Sequence, residues 1–153
     1  MKVLNDLLWD GKLKIFQDTE MFKFSIDSVL LANFVTLNKS NERILDIGMG
    51  NAPIPLMLTK RTNASIDGIE IQKKSYNLAL ESIKYNKLEN QINIILGDIK
   101  EEYINLKNNY YDTIVSNPPY YKSNMKKSFE ETKRIARSEE NLLLEDIFNL
   151  FNV

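Results

Sequence analysis

A chain of 153 residues, 43% hydrophobic and 27% charged, has room for one folded domain with a sizeable core. Its formal net charge of -1, from 20 basic and 21 acidic residues, excludes coating of nucleic acid by bulk charge and leaves room for a local basic patch. The lack of Cys and His excludes disulfides, thiolate nucleophiles, His-based acid–base catalysis and most zinc chemistry, so any reaction falls to carboxylates, amides, aromatics, backbone groups or a bound cofactor. No apolar run of about 18 residues is present, and Met1–Asp10 lacks the basic-then-apolar layout of a signal peptide, so a cytoplasmic location is expected.

In chain order, Lys12–Gln17 alternates polar and apolar residues and predicts a strand, with Asp18–Glu20 as a turn and Met21–Phe24 as its partner. Ser25 or Asp27 then caps a helix running to about Leu37, with Ile26, Val29, Leu30, Asn33 and Phe34 near one face. Trp9, Phe16, Phe22, Phe24 and Phe34 are expected to be core of this opening segment rather than a ligand platform. Asn38–Glu42 reads as a linker. Ile44–Ile47 predicts a buried strand, Gly48–Asn51 a tight turn, and Ala52–Arg61 a helix whose first turn tolerates Pro53 and Pro55. Ser65–Ile71 is the next strand, and Lys73–Asn86 an amphipathic helix with Tyr76, Leu80 and Ile83 on one face. Ile92–Leu96 is a third strand, Lys100–Leu106 a short helix, Tyr111–Ser116 a fourth strand, and Leu142–Phe151 a last helix.

Strands alternating with helices at this spacing predict βαβ units and a parallel sheet, with ligands at the carboxyl ends of the strands. Those ends carry the unusual residues: Asp46 to Gly50, Glu70, Gly97-Asp98, and Asn117 to Tyr120. Gly48 and Gly50 let backbone N–H groups approach a ligand. Glu70 is placed to grip two ribose hydroxyls. The dinucleotide fingerprint wants a third glycine where Pro53 stands, so a different nucleoside cofactor is indicated. At Asn117-Pro118-Pro119-Tyr120 two prolines remove donors and leave carbonyl acceptors, the Asn amide adds another, and Tyr120 offers a flat face for a base. Acceptors that grip an exocyclic amine favour a pyramidal nitrogen able to attack a methyl group in line, with no tuned base required.

On Ile44–Gly50, Gly68–Ile71, Gly97-Asp98 and Asn117–Tyr120, the chain resembles the amino-terminal two-thirds of the bacterial methyltransferases that modify adenine N6 next to the anticodon of valine tRNA. Phe22–Leu31 and the run Ile135-Ala136-Arg137 before Leu144–Ile147 extend the resemblance. Members of that family tend to have His where Ser138 stands, and many have Gly where Ala52 stands. The resemblance implies a Rossmann-like class I methyltransferase sandwich of α/β class with S-adenosylmethionine as cofactor. It implies Asp46, Gly48, Gly50, Glu70, Asp98 and Ile99 as cofactor residues: Gly48–Gly50 for the methionine end, oriented by Asp46, Glu70 for the ribose, and Asp98 for the adenine amine. Asn117 and Pro118 would hold the target amine and Tyr120 stack on the base.

About four parallel strands are expected where the family has seven. The chain therefore reads as residues 1–40, a hairpin-and-helix cap, and residues 41–153, a methyltransferase domain lacking its last strands. Such a half-sheet leaves an edge that a second polypeptide would complete. Lys122, Lys126, Lys127, Lys133, Arg134 and Arg137 against Glu130 and Glu131 give a net +4 beside the amine motif, where tRNA phosphates are expected to make salt-sensitive contacts. Methylation of a glutamine amide in a release factor, methylation of guanine N2 in rRNA, and a non-catalytic remnant that only binds cofactor remain as alternatives. A release-factor enzyme of this type usually opens with a helical domain, which the strand-like Lys12–Gln17 does not match.

Overall fold

In the computed structural model, which describes residues 1–7, 11–21, 24–37, 43–102 and 110–118, the chain opens with two short strands, β1 (Lys2–Asp6) and β2 (Lys14–Asp18). They pair antiparallel, Lys2 opposite Asp18 and Asp6 opposite Lys14. Helix α1 (Ile26–Phe34) follows. Then come β3 (Arg43–Ile47), α2 (Pro53–Leu58), β4 (Ser65–Glu70), α3 (Lys73–Tyr85), β5 (Ile92–Leu96), α4 (Ile99–Glu102) and β6 (Thr113–Ser116). The last four strands form one parallel sheet in the order β5-β4-β3-β6. The chain steps outward from β3 to β5 and returns to the other side of β3, so the strand order reverses between β3 and β6. Ile47 stands opposite both Ile69 and Ser116, which brings three strand ends level at that reversal. Among the described residues, the parallel sheet has the four strands expected.

The hairpin differs from expectation. Strand β2 pairs with β1, and neither Met21 nor Phe24 is in a strand. The reason lies on the other edge of β2, where side chains stand in for a strand. The N–H of Phe16 donates to Ser82 Oγ at 2.9 Å, and the N–H of Lys14 to Asn86 Oδ1 at 3.0 Å. Asn86 Nδ2 donates to the Lys14 carbonyl and Asn51 Nδ2 to the Phe16 carbonyl. The backbone groups that a second strand would need are therefore already satisfied.

Helix α1 also turns a different face inward. Ser28 and Ala32 are buried, whereas Ile26, Leu30 and Phe34 are exposed, Phe34 to 86%. Small side chains let α1 lie close on α2, all six residues of which are buried. Ser25 occupies the position before the helix, but its hydroxyl donates to Asp27 Oδ2, and its oxygen accepts no backbone N–H of the first helical turn. At the far end Arg61 donates to the carbonyls of Ala32 and Val35, the latter at 2.9 Å, answering acceptors that the last helical turn leaves open. Arg61→Ala is expected to lower unfolding free energy by about 1 kcal/mol, read from the urea midpoint at unchanged slope.

Apolar residues from both ends of this region share one core. Leu7, Leu13, Ile15, Ala32 and Val35 cluster with Ile44, Ile54, Leu56, Leu58, Ile66, Ile83, Ile92 and Val115. Leu45, Ile47, Ile69 and Ile99 form a second cluster. Strand β3 thus carries apolar side chains in both clusters, as a central parallel strand does. On α3 the buried residues are Ser75, Leu78, Ala79, Ser82 and Ile83, while Leu80 is exposed, contrary to the predicted face. The helix expected from Lys100 starts one residue earlier, and the strand expected from Tyr111 starts at Thr113. The expected last helix, Leu142–Phe151, lies outside the described residues.

Candidate active site

A cavity of about 170 Å³ opens where the strand order reverses. The turn after β3, the end of β4, the start of α4 and the residues after β6 all contribute to its wall, as do Asp18, Met21, Phe24 and Ser28 from the opening segment. Of the residues singled out in the sequence, Gly48, Gly50, Glu70, Asp98, Ile99, Asn117 and Pro118 line this one cavity. Asp46 does not. Tyr120 and the basic residues from Lys122 to Arg137, with Ser138, lie outside the described residues, as do Trp9 and Phe22.

Glu70 organises the site. Its Oε2 accepts the Gly50 N–H at 2.8 Å and its Oε1 the Gln72 N–H at 2.6 Å. One carboxylate thereby ties the Gly-rich turn after β3 to the end of β4. Burial pushes its pKa up, and the N–H groups of Gln72, Gly50 and Ile71 pull it back. The Gly48 and Met49 N–H groups donate to the Ile69 carbonyl at 2.9 and 3.1 Å. Gly48 and Gly50 have φ of +70° and +60°, the left-handed region, and no atom lies within 4 Å of where a Cβ on either would stand. Ala52, which precedes α2, also has a left-handed φ of +66°. That conformation accounts for the glycine preference noted above at this position.

Asp46 behaves differently from expectation. It is fully buried, and neither carboxylate oxygen has a hydrogen-bond partner among the described residues. The turn it was expected to orient is held by Glu70 and the Ile69 carbonyl instead. Burial, with the neighbouring Glu70 charge, holds its pKa well above the ordinary carboxylate value of 3.8. A folded state that binds this proton more tightly than the unfolded chain is stabilised at low pH and loses that stability as pH rises above 3.8 toward the folded pKa. Asp46→Asn removes the titrating group. The variant is expected to lose less stability than the unmodified protein between pH 4 and pH 7, measured as urea midpoints across that range.

Asp98 follows β5, and its Oδ1 accepts the Lys100 N–H at 2.9 Å, which fixes the carboxylate at the start of α4. Asn117 follows β6, and its Nδ2 donates to Ser28 Oγ at 3.2 Å. The neighbouring Ser116 hydroxyl donates to the Ile47 carbonyl at 2.9 Å, holding this end of β6 to β3. Several wall residues were not anticipated. Ile71 is 47% exposed directly after Glu70, an apolar residue on the cavity rim. Its signal in the sequence was an isoleucine immediately following a strand-end acid. Ser28 and Phe24 were read as cap residues, with Phe24 as core; Phe24 packs partly on the core and also lines the cavity.

Residues 14–146 match the family described as methyltransferase small domain. Two curated proteins, both named tRNA1(Val) (adenine(37)-N6)-methyltransferase, are similar in sequence. That of Bacteroides fragilis is 35% identical over 134 residues, 87% of this chain and 55% of its own length. That of Parabacteroides distasonis is 35% identical over 137 residues, 89% of this chain and 56% of its own length. The chain spans about half the length of the curated relatives it matches. Among solved structures, M. jannaschii TYW2 in complex with AdoMet is similar with a TM-score of 0.59 and 22% identity, covering 74% of this chain and 49% of that one. That likeness is one of fold, and the fold is the Rossmann-like one of class I methyltransferases.

Proposed function

The chain belongs to the methyltransferase small domain family, and from that premise we propose that it transfers a methyl group from S-adenosylmethionine to the exocyclic N6 of an adenine in tRNA, in the cytoplasm. One observation carries the reading: Asn117 and Pro118 line the same cavity as Glu70 and the Gly48–Gly50 turn. An amine held by the first pair stands beside a ligand held by the second.

The residues present fit the cofactor. A carboxylate offers about four lone-pair sites; the N–H groups of Gly50 and Gln72 bond to two and that of Ile71 faces the carboxylate as well, which leaves capacity for a ribose hydroxyl. The empty space over Gly48 and Gly50, which a Cβ would enter, accommodates the methionine end. Ile71 and Ile99 offer apolar surface to the adenine ring, and Asp98 an acceptor for its amine. When bound, S-adenosylmethionine would supply an electrophilic sulfonium methyl: the amine nitrogen would take the methyl, sulfur would keep the C–S electron pair, and one N–H proton of the amine would pass to water. The chain's part is to hold and orient. Asn117 Oδ1 and the Pro118 carbonyl accept the two amine hydrogens, drawing the nitrogen lone pair out of conjugation and toward the methyl. Tyr120 stacks on the target base, and the basic residues between Lys122 and Arg137 meet tRNA phosphates.

The choice of adenine N6 in tRNA is supported by the two relatives' names and by the amine motif at Asn117. The test has two parts. Calorimetric titration of the chain with S-adenosylmethionine is expected to show binding. Valine tRNA from cells lacking the gene is expected to lose N6-methyladenosine next to the anticodon. Retention of that mark with loss of methylglutamine in a release factor moves the assignment to a protein substrate. No change in either mark, with cofactor binding intact, leaves a cofactor-binding remnant.

A further inference from the structure

The turn Gly48-Met49-Gly50 carries one side chain, that of Met49, and Met49 is only 3% exposed. Its backbone is bonded in both directions, the N–H to the Ile69 carbonyl and the carbonyl to the Ala52 N–H at 3.0 Å. Its side chain lies over β4 at Gly68. A Cβ on Gly68 would overlap Met49 Sδ and stand 3.3 Å from its Cγ and 3.4 Å from its Cβ. Other neighbours are small as well: Met49 clusters with Ala52 and Ala79, both fully buried, and Tyr76 and Ile94 pack against the group. Ile94 is the residue opposite Gly68 in the sheet. One thioether thus fills the space that a glycine and two alanines leave, and an interior packed this closely feels a single added methyl. Room for Met49 to yield lies toward the cavity, which it lines.

We propose that Met49 is a positioning residue for the cofactor turn, with Gly68 as its socket: seated over Gly68, the side chain fixes the turn against β4 and stays out of the space taken by the methionine end of S-adenosylmethionine. The proposal rests on the methyltransferase reading above. It also gives Gly68 a reason that its backbone does not. Gly68 is not among the glycines with left-handed φ, so what calls for glycine there is the closeness of Met49 and not the local conformation. The turn is then tied to β4 twice at adjacent residues, by an apolar contact at Met49 and by the Glu70 bond to the Gly50 N–H.

The experiment compares the unmodified protein with Gly68→Ala and with the double variant Gly68→Ala/Met49→Ala. Calorimetry measures binding of S-adenosylmethionine and of 5′-methylthioadenosine, which keeps the adenosine and lacks the amino-acid end. A ¹⁵N–¹H spectrum follows the Gly50 backbone amide. Gly68→Ala is expected to weaken S-adenosylmethionine binding about tenfold and 5′-methylthioadenosine binding no more than about twofold, and to shift the Gly50 resonance. Shortening Met49 removes the overlap, so the double variant is expected to bind S-adenosylmethionine more tightly than Gly68→Ala and to return the Gly50 resonance toward its original place. Unchanged S-adenosylmethionine affinity in Gly68→Ala overturns the proposal. So does equal weakening of both ligands, since the contact is then merely structural, and so does a double variant that recovers nothing. Absence of S-adenosylmethionine binding by the unmodified protein strikes the functional reading instead. In that case the Gly50 resonance decides alone: moved in Gly68→Ala and returned in the double variant, it upholds the positioning of the turn by Met49, and any other pattern overturns it.

Discussion

Replacing Glu70 with alanine is expected to weaken S-adenosylmethionine binding by about a hundredfold and to lower the melting temperature. Both effects have one cause. The carboxylate accepts the N–H groups of Gly50 and Gln72 and so fixes the turn after β3 against the end of β4. Hydrogen bonds to a charged group contribute about 1.5–3 kcal/mol each, and removing the acceptor leaves two donors unanswered. A loss near 3 kcal/mol in the bound state is about a hundredfold in affinity. On the proposed reading, the cofactor's ribose hydroxyl loses its acceptor in the same stroke. Glu70→Gln keeps one acceptor oxygen and turns an NH2 toward a donor, so an intermediate loss of about tenfold is expected. Calorimetric titration of the three proteins measures this order. Equal affinity in Glu70→Ala and the unmodified chain would remove Glu70 from the cofactor site.

The second large effect is kinetic. Asn117→Ala is expected to lower the rate of methyl transfer by a factor on the order of 10² to 10³, with S-adenosylmethionine affinity unchanged within about twofold. Deleting one preorganised polar group aimed at a reacting centre has that scale. The separation of the two readouts follows from geometry. Asn117 stands after β6, whereas the groups assigned to the cofactor come from the turn after β3, the end of β4 and the start of α4. Asn117→Asp retains acceptor oxygens and is expected to keep more activity than the alanine variant. Single-turnover assays with saturating cofactor isolate the step. A rate unchanged in Asn117→Ala would exclude the amide from catalysis, and a parallel loss of cofactor affinity would place it in the cofactor site.

The parallel sheet and its strand ends were legible because their signals are local. A buried strand runs straight into Gly48-Met49-Gly50, a strand ends in Glu70, another in Gly97-Asp98, and a fourth in Asn117-Pro118. Each declares itself within about ten residues, and the βαβ rules then bring them to one edge. What the sequence concealed depends on contacts between distant segments. The sequence offers Met21–Phe24 as the partner of the strand at Lys14–Asp18, and local propensity does not reveal that the partner is instead Lys2–Asp6. The choice is made by Ser82 and Asn86, which occupy the other edge of β2. The inward face of α1 was misread for a related reason. Ile26, Leu30 and Phe34 are the more apolar stripe, yet Ser28 and Ala32 face inward because α1 lies against α2, where small residues fit. Asp46 stands out in the sequence as unusual, but nothing there distinguishes an acid that bonds a turn from one buried with no hydrogen-bond partner among the described residues.

The side-chain seal on β2 has a consequence for the order in which the chain is completed. Ser82 Oγ accepts from Phe16 and donates to the Leu78 carbonyl, and Asn86 brackets Lys14 with both ends of its amide. These partners follow their strand by 66 and 72 residues. Closing loops of that length costs entropy that must be met before the contacts reward it, and such contacts form late. On the ribosome, the hairpin emerges before α3, and its outer edge stays open to water until α3 has been synthesised and docked. The hairpin strands are thus made early and finished only after α3, and a substitution at Ser82 or Asn86 acts on strands 66 and 72 residues upstream.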